Sequence, residues 1–188
     1  MQTPLRLAFK ARKSLRGVTL VELMFGLAIL GILSAIAVPQ LGVIHRAAGR
    51  TAAVNDFMHS IFLARSTAVV GNGVVSICRS SDGLTCANKG GNWESGWIVF
   101  RNNDHDQPAE RDADEEIIER HGPWTGGHIT SNRVAYSFRP TSQADVNGTL
   151  VFCVIQGKNS DARAIIVSHT GRPRVSTKDA SNHPLQCP

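Results

Sequence analysis

The sequence predicts an α+β fold: one long amino-terminal helix, membrane-spanning in its first half, packed on antiparallel β-sheet. Three observations carry that prediction. Residues 18–38 read VTLVELMFGLAILGILSAIAV, an apolar run with a single charge, Glu22. Leu41, Ile44, Ala48, Thr51, Val54, Met58, Ile61 and Arg65 then recur at spacings of three and four, the stripe of a helix laid on a sheet. Beyond residue 70 only short β-type runs remain between turn residues, and a helix followed by strands alone is the order of an α+β domain.

The chain has 188 residues, 42% of them hydrophobic, enough for one globular core and too few for two. Its net charge of +5 points at first to nucleic acid. The excess, however, sits in residues 1–17, where Arg6, Lys10, Arg12, Lys13 and Arg16 meet no acid. Without that end the chain is neutral, so any basic site must be local.

The elements follow in order. The apolar run is long enough for a bilayer core, which needs roughly 20 helical residues. Basic residues precede it and none lie within it, so the amino terminus stays cytoplasmic and the rest crosses outward. A cleaved secretory signal is the rival reading, since Ala35, Ala37 and Pro39 imitate its cut site. A carboxylate inside such a segment is costly and by default functional, which singles out Glu22. Pro39 is expected to kink the helix without ending it. Gly71-Asn72-Gly73 supplies the carboxy-terminal cap. Candidate strands are 74–78, 97–100, 116–120, 134–138, 149–155 and 163–168.

All four cysteines lie in the part predicted to be exported, where disulfides are favoured. Cys78 and Cys86 flank a short polar loop, leaving Cys153 on a strand to reach Cys187 at the tail. A metal site is the other reading, but there is neither a CxxC nor a matching histidine pair. Scattered histidines without HExxH, and the lack of GxSxG, Walker A or GxGxxG, argue against an enzyme and imply no cofactor.

Charge is strongly local. Residues 102–119 hold eight acids and one base, and Asn102-x-Asp104-x-Asp106 has the opening spacing of a calcium loop. Gln107 stands where that loop needs glycine, so a solvated acidic hairpin is the plainer reading. Residues 158–178 are the counterpart: Lys158, Arg163, Arg172, Arg174 and Lys178 against Asp161 alone. Within them, Thr170-Gly171-Arg172-Pro173-Arg174 follows an apolar strand. Pro173 holds Arg172 extended, and residues two apart in an extended chain emerge on one side roughly 6–7 Å apart. That is a fork for backbone phosphates, with no element for reading bases. The bland alternative is a solvated turn bearing two arginines.

Gly17 directly before the run, with Glu22 fifth after it, resembles the class III leader of type IV pilins and pseudopilins. GWIVFRNND (96–104), GTLVFC (148–153) and ARAIIVSHTGRPR (162–174) extend the resemblance to the GspH/FimT family of minor pilins over nearly the whole chain. Val18 replaces the more usual Phe, and the tail beyond Arg174 is longer than in FimT-like chains. The resemblance implies a type IV pilin-like fold, a leader (1–17) removed by prepilin peptidase between Gly17 and Val18, and N-methylation at Val18. It divides the remainder into a transmembrane half-helix (18–38), an amphipathic half-helix (39–70) and a β-rich domain (71–188). Glu22 would face the amino terminus of a neighbouring subunit during assembly.

The resemblance also implies a place in the bacterial inner membrane, single-pass with the carboxy-terminal domain periplasmic, and then in a pilus with other major and minor pilins. GRPR fits the motif of FimT-type pilins that bind DNA in natural transformation, falling on Gly171, Arg172 and Arg174, with Lys178 nearby. The expected function is non-specific binding of double-stranded DNA. The rival is a structural pilin that primes or tips a pilus or a type II secretion pseudopilus.

Overall fold

A computed structural model describes residues 17–141 and 147–188, with backbone only at 36–40. The chain divides into two compact units, Met1–Gly42 and Val43–Pro188. Most of the leader, residues 1–16, lies outside the described residues.

Helix α1 runs from Leu20 to Gly71 without a break at Pro39. Thr19 starts it, its Oγ1 accepting the backbone N–H of Glu22 at 3.3 Å, half of a T-x-x-E capping box. Asn72 ends it in the left-handed region (φ 46°). Gly73 N–H reaches back to Ala68 O (3.2 Å) and Asn72 N–H to Val69 O (3.4 Å), the paired bonds of a Schellman cap. In the first unit the side chains described up to Ala35 are all exposed, including Leu20, Phe25 and Ile32. Among the described residues no helix is long and apolar enough to cross a membrane.

In the second unit the buried face of α1 departs from the expected stripe. Ile44, Ala48 and Thr51 are exposed; the buried residues are Arg50, Ala53, Val54, Phe57, Ser60, Ile61, Ala64 and Ala68. The face is turned by about one residue, because three alanines let the helix lie close and Phe57 fills the centre. Phe57 meets Trp93 (5.4 Å between ring centres), Trp97 (5.0 Å), Tyr136 (6.4 Å) and Phe152 (6.3 Å), all edge-on. Edge-on aromatic pairs each add about 1 kcal/mol to simple burial, so one side chain ties the helix to both sheets.

Those sheets are antiparallel and four-stranded. The first has the order β3-β2-β1-β5, with β1 Val75–Arg79, β2 Trp97–Arg101, β3 Ile117–His121 and β5 Ala135–Phe138. The second has the order β4-β6-β7-β8, with β4 Gly127–Ser131, β6 Gly148–Val154, β7 Arg163–Val167 and β8 Pro173–Ser176. Strands β4 and β8 lie where no strand is expected from the sequence. Alternate residues of both sheets (Val75, Ile77, Val99 and Leu150, Phe152, Ile165) join α1 in one core.

Each outer face has a smaller core under a disulfide-tied segment. Cys78–Cys86 closes the loop beside Ile98, Phe100 and Ala109. Cys153–Cys187 draws the tail over Ala164 and Ile166, with Leu185 buried between. Such a cross-link over a loop of this length is worth about 3–4 kcal/mol in loop entropy.

Candidate functional site

The basic turn grows out of strand alternation. In β7, Ile165 and Val167 face the main core, so Ile166 faces outward beneath the tail. Arg174 pairs with Ile166 across β7 and β8, and shares that outer side. Arg172 is two residues earlier and keeps the same parity. Pro173, opposite Val167, opens a strand at the sheet edge, the place where a missing N–H is tolerated.

The connection itself is tightly fastened. Gly171 N–H donates to Ser168 O (2.8 Å), and Ser168 N–H donates to Arg172 O (3.2 Å). Ser168 Oγ also donates to Arg172 O (3.2 Å) and lies 2.8 Å from Thr170 Oγ1. Gly171 is buried with φ 67°, so His169-Thr170-Gly171 form a three-residue hairpin loop closed by a left-handed glycine. A side chain at that φ is strained, which is why glycine stands there. His169 is thereby a turn residue. Ser168 holds the turn from both its N–H and its hydroxyl, yet nothing marks it in the sequence; a serine closing a strand is too common to stand out.

Arg172 and Arg174 both reach solvent, and among the described residues neither guanidinium has a hydrogen-bond or ion-pair partner. Lys178 is exposed too, its backbone bridged to Pro184 and its N–H donating to Ser176 Oγ (3.0 Å). It therefore belongs to the folded-back tail and not to the turn. Next to it, Asp179 accepts the N–H groups of His183 and Ser181, each at 2.8 Å. Chiefly the first of these holds its carboxyl below the usual range. That acid is committed to the tail's own turn.

The acidic stretch is built differently. Glu115 is buried, and its two oxygens accept Asn103 N–H (2.6 Å) and Asp112 N–H (3.0 Å). Asp106 accepts Asn102 Nδ2 (2.9 Å) and Glu110 N–H (2.8 Å), while burial pushes its carboxyl upward. Among the described residues no group of three or more His, Cys, Asp or Glu is arranged to hold a metal ion.

At the other end, Gly17 and Val18 are exposed ahead of α1, and the Glu22 side chain is exposed. The Thr19 cap gives this segment a local helix-starting pattern that hydropathy alone does not reveal.

The comparisons with known proteins agree on this architecture. A family model described as type II transport protein GspH matches residues 53–171, and one described as a prokaryotic N-terminal methylation motif matches residues 12–38. A crystal structure of the type IV minor pilin FimU of Pseudomonas aeruginosa is 18% identical with a TM-score of 0.51. That match covers 67% of this chain and 91% of that one. A second crystal form of FimU gives 17% identity and a TM-score of 0.52, covering 67% and 87%. At such identities the likeness concerns the fold. No curated protein matches the chain. A long amino-terminal helix on antiparallel sheets, headed by a methylation motif, defines a type IV pilin-like subunit. Within that class the chain belongs to the GspH family, the GspH/FimT-type minor pilins and pseudopilins. The GspH match ends at Gly171, so Arg172 and Arg174 lie just beyond it.

Proposed function

We propose that this minor pilin holds double-stranded DNA, without sequence preference, through Arg172 and Arg174 on the β7–β8 turn, in DNA uptake by natural transformation. The observation that carries the reading is the pair of unpartnered, solvent-facing guanidinium groups on a turn fixed by Ser168 and Gly171. Free cations on a rigid frame reach phosphates without first breaking an internal bond. Gly171 sets the turn, and Lys178 adds charge beside it. So few charges give weak binding, in the micromolar range or above, and several copies along one pilus raise it by avidity. Fluorescence anisotropy of the full chain in detergent with unrelated duplexes tests this. Equal binding to all sequences, weakened about equally for each by Arg172→Gln with Arg174→Gln, is expected; binding unchanged in a folded double variant eliminates it.

The reading includes maturation. Prepilin peptidase removes residues 1–17, Val18 becomes the methylated amino terminus, and residues 18–38 anchor the chain in the inner membrane before it joins other pilins. Glu22 compensates a neighbour's amino terminus there. Amino-terminal sequencing beginning at Val18 and loss of pilus incorporation in Glu22→Ala are the expected results. A mature chain beginning near Gln40, as from a secretory signal, contradicts the reading.

The likeness to FimU favours a second reading, a structural minor pilin without DNA binding. It expects the double arginine variant to fail in piliation or secretion while DNA binding is nil in both forms.

A further inference from the structure

A second basic site lies within Val43–Pro188, at the far end of β7 from the turn. The β6–β7 connection and α1 enclose a cleft of about 520 Å3 lined by Arg46, Arg50, Lys158, Ser160, Asp161 and Arg163. Its volume falls in the range of small-molecule sites. Four of these side chains are cationic and one is acidic. Asp161 is already engaged, its carboxylate accepting Lys158 N–H at 3.0 Å, so the cleft keeps a net positive charge that its own acid does not satisfy.

Arg50 decides the matter. It is only 8% exposed on the helix face, and Nη1 donates to the Asp161 carbonyl. Its Nε–H is buried, with no hydrogen-bond partner among the described residues. A buried donor without an acceptor costs about 1–3 kcal/mol, and more on a cation. Burial first, then the nearby Arg163 charge, pulls the Arg50 pKa down against the opposing charge of Asp161. Arg163 is half-occupied by Ser160 and Ala162 carbonyls, while Arg46 and Lys158 stand exposed at the rim.

We infer that this cleft binds a phosphate-class anion, a phosphomonoester or phosphodiester group with a small polar substituent, seated between Arg50 and Arg163 and closed by Arg46 and Lys158. Guanidinium forks match phosphate oxygens two at a time, and the arginines of the cleft supply such forks. Two sources share this chemistry: the headgroup of an anionic phospholipid and a soluble phosphate ester. The site is independent of the turn, since β7 separates the two.

Full-length protein in maltoside micelles, titrated calorimetrically with inorganic phosphate and with glycerol 3-phosphate, tests the inference. Saturable binding is expected, tighter for glycerol 3-phosphate, and weakened about tenfold by Arg46→Gln with Lys158→Gln, as the removal of two charge-assisted bonds predicts. Arg50→Lys, which keeps the charge but removes the fork, should weaken it similarly. If Arg50 variants do not fold, the exposed rim pair still decides. Arg172→Gln with Arg174→Gln should leave binding unchanged, so this result and that for DNA stand or fall separately. No binding, or binding indifferent to the rim pair, overturns the site. Reconstitution into phosphatidylglycerol and phosphatidylcholine vesicles then assigns the source. Retention of glycerol 3-phosphate binding in phosphatidylcholine but its exclusion in phosphatidylglycerol identifies the headgroup as the occupant; equal binding in both identifies a soluble ester.

Discussion

The β2–β3 and β7–β8 connections both join neighbouring antiparallel strands, and both carry concentrated charge of one sign. In the acidic connection the inward carboxylates are consumed by the chain itself: Glu115 and Asp106 accept backbone N–H groups. Arg111 is engaged likewise, on carbonyls of Glu115 and Leu84. In the basic turn the backbone is closed by Ser168 and Gly171, and the arginines hold nothing among the described residues. The difference separates charge that builds a loop from charge that is offered to a partner. Net charge cannot distinguish the two; hydrogen bonding can.

The largest effect expected from this contrast is on the acidic side. Glu115→Ala strands two backbone donors in a buried position, a cost of about 3 kcal/mol, visible as a lower melting temperature by circular dichroism. DNA binding measured well below that temperature should not change. Were the variant as stable as the parent, the acidic loop would be decoration.

On the basic side the signs reverse. Arg172→Gln with Arg174→Gln should leave stability within about 0.5 kcal/mol, as for surface changes without partners. The slope of log affinity against log salt should fall by about two, one for each phosphate no longer neutralised. A marked drop in melting temperature would show that the arginines serve the fold after all.

Gly171→Ala tests the frame between these extremes. A side chain at φ 67° costs roughly 1–2 kcal/mol, and the hairpin loop must distort to relieve it. DNA binding should weaken although both arginines remain. Unchanged binding would mean that the turn's geometry does not matter.

The smallest effect concerns Asp82 in the loop closed by Cys78–Cys86. It accepts N–H groups from Thr85 and Leu84, both at 2.8 Å, and the hydroxyl of Thr85 at 2.7 Å. Thr85 above all holds its carboxyl well below the ordinary range. A depressed folded pKa gives stability that is complete above the unfolded value, about 3.9, and lost as pH falls through the folded one. Asp82→Asn should therefore lower the melting temperature slightly at pH 7. The gap to the parent should close toward the most acidic pH; a gap independent of pH would mean the charge is idle.

How much of this is legible in the sequence depends on how local each signal is. The bounds of α1 are, because the apolar run, the stripe and Gly71-Asn72-Gly73 are contiguous. The stripe sets its buried face about one residue out of phase, since hydrophobicity marks Met58 and Leu41 more strongly than the alanines that the sheets approach. Strand β4, GHITS, offers one large apolar residue, and β8 begins with proline; only their pairing to β6 and β7 makes them strands. The cysteine pairs are readable from loop length and chain position. The two turn arginines are readable too, since Pro173 fixes their spacing locally. The cleft around Arg50 is not: its members come from α1 and the β6–β7 connection, and only the fold brings them together.

The tail bond has a mechanical meaning. Strand β8 lies at the edge of its sheet, and an edge hairpin pulled at its tip can peel away one hydrogen bond after another. Here the chain that leaves β8 returns to β6 through Cys187 and Cys153, so β7 and β8 lie inside a covalent ring. Tension applied between the β7–β8 turn and the amino-terminal end of the chain would be passed to β6, in the middle of the sheet. The ring also limits how far the strand can travel if its hydrogen bonds do give way. Reduced protein should therefore yield at lower force than oxidised protein when pulled between the turn and the amino terminus.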